Sequence, residues 1–122
     1  MQAVKDFVQI LKQNATVLQY VGSRLYLEET SNIINDCIVY HPSILLDDGI
    51  KEIWRVQVDT ITAEPDRGLQ IDKACRDSIV TIGDSPLTSV VMQAEVNGGG
   101  HLFNYENNRH YTTTYYEILA RK

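Results

Sequence analysis

Four stretches of the 122-residue chain carry residue types that could do chemistry. Asn97-Gly98-Gly99-Gly100 is rich enough in glycine to wrap a phosphate. A phosphate cradle, however, needs backbone N–H groups converging at a helix N-terminus, usually with Gly-Lys-Ser/Thr after the glycines. Neither follows here, and a strand comes next, so the stretch reads as a flexible hairpin loop. His101 and His110 flank that loop nine positions apart, with no third ligand at metal-site spacing, which argues against a metal. Cys37 and His41 fall on one side of a strand, but residues four apart on a strand are separated by about 13 Å, too far for a thiolate–imidazole pair. Asp47-Asp48 stands before Gly49, where consecutive carboxylates are usually a solvated turn rather than an acid/base pair. No catalytic constellation emerges. No enzyme activity, cofactor or metal is expected.

The elements that would position these residues can be read from periodicity. Val4, Phe7, Val8 and Leu11 recur at helical spacing against Lys5, Gln9, Lys12 and Gln13, predicting an amphipathic helix over 2–13. Thr16 is placed to cap a short second helix, Val17 to Val21, with Gly22 as its left-handed stop. Residues 24–27 read as a short strand, and 28–35 as a solvated loop. Cys37-Ile38-Val39-Tyr40-His41 is a strand that Pro42 should end. After the Asp-Asp-Gly turn comes the clearest alternation in the chain. Ile50, Trp54, Val56 and Val58 share one face, and Lys51, Arg55, Gln57 and Asp59 share the other. Pro65 to Gly68 breaks this strand, with Asp66 placed to cap a helix carrying Ile71, Cys75, Ser78, Ile79 and Ile82 and ending at Gly83. Asp72–Arg76 and Lys73–Asp77 are opposite charges four apart on it. Ser85-Pro86 turns the chain into a strand with Val90, Met92, Ala94 and Val96 on one face. Residues 97–110 follow as a long loop, and Tyr111 to Ala120 as the closing strand. Helices and strands mix without strict alternation. The expected fold is α+β: a single domain, 1–122, with a mixed, mostly antiparallel sheet of about five strands packed with two main helices.

Composition limits the function classes. Hydrophobic residues make up 43% and charged residues 22%, the balance of a globular domain rather than a disordered chain. Surface scaling gives roughly 6,700 Å² folded against roughly 20,000 Å² unfolded, enough burial for a core without staples or metals. The longest apolar run is Cys37 to Tyr40, far short of the roughly 20 residues that span a bilayer. The first twenty residues lack the apolar run of a secretory signal. Two cysteines, 38 positions apart, fit buried thiols of a reducing compartment. A net charge of −5 argues against general attraction to DNA or anionic lipid.

The distribution of bulk is uneven. Phe103, Tyr105, Tyr111, Tyr115 and Tyr116 place half of the aromatic residues in the last twenty positions, around a loop of 14, a length usually functional or disordered; a closing strand that packs its tyrosines on its own domain is the alternative. Tyrosine and arginine beside glycine suit a protein interface. The assembly contacts expected are therefore His101, Leu102, Phe103, Tyr105 and Arg109 in the loop, with Arg55 and Asp59 on the polar strand face. Nucleic-acid stacking is disfavoured by the acidic balance.

At this level the whole chain resembles the tail terminator (tail completion) proteins of long-tailed bacteriophages. The resemblance lies in an N-terminal helix running into Val21-Gly22-Ser23-Arg24-Leu25-Tyr26, and in Tyr40-His41-Pro42 before Trp54-Arg55-Val56-Gln57-Val58-Asp59. It continues in a helix led by Arg67-Gly68-Leu69, and in a last strand, Tyr115-Tyr116-Glu117-Ile118-Leu119. It implies a homomeric ring, most often of six copies, on the head-proximal end of the tail tube. Such a ring stops polymerisation of the tube protein and joins the head through a neck protein. DNA passes through its lumen without specific binding, and no membrane is involved. The implied location is the virion, after assembly in the host cytoplasm. Read without the resemblance, the residues also suit a small cytosolic enzyme or ligand-binding domain with a pocket near 97–110; within the resemblance, another neck or tube protein of the same virion is the further alternative.

Overall fold

In the computed structural model, which describes residues 1–28, 35–79 and 90–121, three helices lie on one face of a five-stranded sheet. The elements are α1 (Gln2–Lys12), α2 (Ala15–Tyr20), β1 (Leu25–Leu27), β2 (Cys37–Asp47), β3 (Lys51–Thr62), α3 (Pro65–Ser78), β4 (Val91–Asn104) and β5 (Arg109–Arg121). The sheet order is β1-β2-β3-β5-β4, with β1–β2 parallel and the other pairs antiparallel. The expected α+β class and the mixed, mostly antiparallel sheet are as built. The accessible surface, 6895 Å², agrees with the scaling expectation.

Helix α1 buries the whole predicted stripe, with Ala3 added to Val4, Phe7, Val8 and Leu11. The cap of α2 is Asn14 and not Thr16. The Asn14 carboxamide oxygen accepts from the backbone N–H of Thr16 (3.0 Å) and Val17 (3.2 Å), and its Nδ2 donates to the Ala74 carbonyl (3.2 Å), tying α2 to α3. Gly22 stops the helix at φ +61°, as predicted.

Strand β2 does not end at Pro42. It continues to Asp47, with Pro42 paired to Val56. Among the described residues β1 accompanies β2 only as far as Tyr40, so beyond it the outer edge of β2 has no neighbour there, and a proline without an N–H fits an edge. The Asp-Asp-Gly turn forms as read. Asp47 Oδ1 accepts from Gly49 N (3.0 Å), and Asp48 Oδ1 from Ile50 N and Lys51 N (both 2.9 Å). Ile50 belongs to this turn and is 79% exposed, so it is not part of the dry face assigned to it.

The dry face of β3 is otherwise as predicted. Trp54, Val56 and Val58 pack with Ile38, Val91, Tyr116, Ile118 and Ala120 beneath Phe7, Leu11, Val17, Ile71 and Cys75. The Phe7 and Tyr116 rings meet at a centroid distance of 5.1 Å. Helix α3 starts with Pro65 at N1; Asp66 lies in its first turn, and Glu64 holds the cap position without a side-chain cap bond. Gly68 allows α3 to lie close on the sheet, because a Cβ there would sit 2.9 Å from the hydroxyls of both Thr62 and Thr112. The two i,i+4 pairs form, Lys73–Asp77 at 2.7 Å and Arg76–Asp72 at 3.1 Å. Asp72 is buried and also accepts from Thr114 Oγ1. Ile82, the Gly83 stop and the Ser85-Pro86 turn lie outside the described residues.

The largest correction concerns residues 97–110. They are not a loop. Strand β4 runs through the glycines to Asn104, β5 begins at Arg109, and only Tyr105–Asn108 turn. Two register shifts make this possible. The first, between Val91 and Gln93, puts Val91 rather than Met92 in the core. The second, between Val96 and Gly99, is a bulge whose Gly98 has φ +101°. Pairing then resumes from Gly99↔Thr114 to Asn104↔Arg109. The turn has its own chemistry: Asn104 Oδ1 accepts from Glu106 N (2.9 Å), Asn107 Oδ1 from Arg109 N (3.1 Å), and Asn108 takes φ +56°.

Candidate functional site

The face of the sheet away from the helices is polar and, among the described residues, uncovered by any helix. It carries His41, Ser43, Arg55, Gln57, Asp59, Thr113, Tyr115 and Glu117 in the alternation that leaves the other face dry. A small apolar cluster of Cys37, Val39 and Ile61, flanked by Tyr26 and Tyr111, holds one end of it. Arg55 is exposed, with its guanidinium 4.3 Å from the centre of the Tyr115 ring, at the rim of a shallow depression lined by His41, Ser43, Gln57 and Tyr115. Asp59 is buried and saturated. It accepts from Thr113 Oγ1 (2.7 Å) and Gln57 Nε2 (3.1 Å) and lies 3.3 Å from His41 Nε2. Its bonds fix the sheet, whereas the Arg55 guanidinium is open to solvent over the Tyr115 ring.

The other expected contact residues come together at one end of the sheet. His101, Leu102 and Phe103 lie on edge strand β4, Tyr105 projects from the turn at 84% exposure, and Arg109 opens β5. The Phe103 ring sits edge-on to Tyr105 (4.9 Å) and tilted on His110 (4.7 Å). His101 and His110, nine apart in sequence, are in contact across the hairpin. The opposite end holds the β2–β3 turn.

A third feature was not foreseen. On the outer edge of β2, Ile44, Leu45 and Leu46 are 48%, 54% and 40% exposed in succession. Three neighbouring aliphatics open to water form an exposed apolar patch on the strand edge, at a register shift between Ile44 and Leu46. Ending the strand at Pro42 concealed them; the aliphatic run Ile44-Leu45-Leu46 was the available signal.

The wider grooves are open: one between α2 and α3 is lined by Asn14, Tyr20, Lys73 and Asp77, and one beside the glycine bulge by Leu69, Arg76, Val96 and His101. Among the described residues no three His, Cys, Asp or Glu side chains converge at metal-binding distance, and no helix is long and apolar enough to cross a membrane.

No family model matches the sequence, and no curated protein matches it. A solved structure does. One chain of a structure described as the virion of a native gene transfer agent (GTA) particle superposes with a TM-score of 0.71. The match covers 95% of this chain and 92% of that one, at 12% identity. At that identity the likeness establishes the fold.

Both cysteines are free and buried, as read from the sequence. Burial pushes the Cys37 thiol up to about 11, and burial with the nearby Asp72 carboxylate pushes Cys75 up to about 12. The unfolded chain releases these protons near the ordinary value of 9.0, whereas the native state holds them. Stability from this source is complete below pH 9 and is lost as pH rises through 11 to 12. The melting temperature should therefore fall steeply above pH 9, and at pH 8 the thiols should react with a maleimide only after denaturant is added. Rapid labelling of Cys75 in the native protein would show that the helix layer opens, and of Cys37 that the small cluster on the opposite face does.

Proposed function

We propose that this chain is a virion structural protein and, more specifically, a tail terminator. Copies associate side by side into a ring, in the family's usual number of six, on the head-proximal end of the tail tube. One end of the ring stops the tube protein from adding further, and the other is the surface that a head-completion or neck protein joins. DNA passes through the lumen, where an acidic chain has no general grip on it.

The observation that carries this reading is a surface: a sheet face that no helix covers among the described residues, with the exposed Ile44-Leu45-Leu46 run at the edge of β2. A monomer that worked by chemistry would have no use for it, whereas a head-to-tail ring covers such edges all round. The likeness of fold to a chain from a virion supports the same reading. His101, Leu102, Phe103, Tyr105 and Arg109 are placed to meet the tube or the neck, and Arg55 the neighbouring copy.

The test is mass and place. At micromolar concentration light scattering should find six copies of the 13.9 kDa chain, about 84 kDa. Leu45→Asp, at an exposed position, should leave the melting curve intact and give monomers. Electron microscopy of particles carrying a labelled chain should place it at the head-proximal end of the tail. Monomers in solution and in particles alike would overturn the proposal; label along the whole tube would make it a tube protein.

A further inference from the structure

We infer that His101 and His110 form a surface site for a divalent transition-metal cation, with two imidazole nitrogens as protein ligands and the remaining positions open to solvent. The sequence argued against a metal because nine residues separate the two. The hairpin removes that objection. His101 pairs with Thr112 and Phe103 with His110, so the two imidazoles are diagonal neighbours on the same face of adjacent strands. His101 Nε2 lies 3.3 Å from His110 Nδ1. Two nitrogens bound at about 2.0–2.1 Å to one tetrahedral ion stand roughly 3.3 Å apart. The pair is therefore already spaced for an ion between them.

The tautomers also suit a metal. His101 Nδ1 is 3.2 Å from Thr112 Oγ1. When Nδ1–H donates to that hydroxyl, the lone pair is left on Nε2, aimed at His110. A ligating histidine is normally fixed by such a bond from its other nitrogen. In the metal-free chain His110 Nδ1–H donates to that lone pair. On binding, this proton moves through solvent to His110 Nε2, and both facing nitrogens become ligands with no net loss of protons. The rings are near-parallel (centroids 5.4 Å, planes 25° apart), and Phe103 packs against His110, on strands rather than on a loose tip.

Imidazole selects copper, nickel and zinc over magnesium and calcium. Two protein ligands give modest, exchangeable binding, and the open positions can accept a donor from another molecule. The site belongs to the single chain, whatever its assembly.

Calorimetric titration of the full chain with Cu²⁺, Ni²⁺ and Mg²⁺ at pH 7.5 tests this. About one Cu²⁺ or Ni²⁺ should bind per chain, copper more tightly, and Mg²⁺ not at all. H101Q and H110Q should each weaken binding at least about tenfold, and H41Q, on the other face of the sheet, should leave it unchanged. Circular dichroism of each variant checks that the hairpin is retained. Absence of saturable binding below 1 mM would overturn the inference (the pair is then only a hydrogen bond). Affinity surviving in H101Q or H110Q would overturn it too, by placing the ion elsewhere.

Discussion

Trp54→Ala should destabilise the fold by about 3–5 kcal/mol, the range for truncating a buried large aromatic. Trp54 is 9% exposed at the heart of the cluster that joins β3 to the helices. Domains of this size hold about 5–15 kcal/mol in total, so the variant sits near the edge of folding. Its melting temperature should fall by more than about 10 °C. Trp54→Phe separates bulk from polarity. The indole N–H is buried with no protein acceptor among the described residues, so removing it offsets part of the lost area. The phenylalanine variant should therefore recover most of the loss. Thermal denaturation of the three proteins checks the order; an unchanged melting temperature in Trp54→Ala would mean that β3 presents its other face to the helices.

Gly99→Ala should come next in severity, and Gly100→Ala should stabilise slightly. A Cβ on Gly99 would lie 2.4 Å from the Thr113 carbonyl oxygen and 3.3 Å from the Thr114 Cα. Both are backbone atoms, so no rotamer change relieves the overlap, and β4 must move away from β5. Overpacking of this kind costs about 1–3 kcal/mol. A Cβ on Gly100 meets nothing within 4 Å, and alanine there restricts the unfolded chain, worth about 0.4–1 kcal/mol in favour of folding. Hydrogen exchange localises the effect. In Gly99→Ala, amides of 99–104 and 109–114 should lose protection while α1 and β3 keep theirs. Equal behaviour of the two variants would remove the bulge from the account.

What the sequence disclosed, and what it did not, follows the range of the interactions. The α1 stripe and the Trp54-Val56-Val58 face are local periodic patterns, and both packed as read. Whether Pro42 ends β2 depends on where β1 stops, a pairing with residues far earlier in the chain. Whether the glycines at 98–100 form a loop or a bulge depends on registration with β5, and Thr112 to Thr114 are needed to decide it. Asn14 and Thr16 are both good caps two positions apart, and the Ala74 carbonyl on α3 decides between them. The candidate contacts divide in the same way. The aromatic clustering of the hairpin is visible in composition, whereas the contact of His101 with His110 needed the register. Asp59 looked available from strand alternation alone, and only Thr113 and His41 on the neighbouring strands, with Gln57 on its own, show its oxygens already occupied.

The two hairpin turns point in opposite directions, and the strands between them, β3 and β5, stay in register from Lys51↔Arg121 to Thr62↔His110. This arrangement has a mechanical meaning. Tension applied between the turns runs along the strands and tries to slide β3 past β5. In that direction the whole ladder of backbone bonds resists at once, whereas a pull at right angles would open it one bond at a time. A chain gripped at both turns is therefore stiff along one axis and compliant across it, a property suited to a part held between two larger bodies that strain against each other.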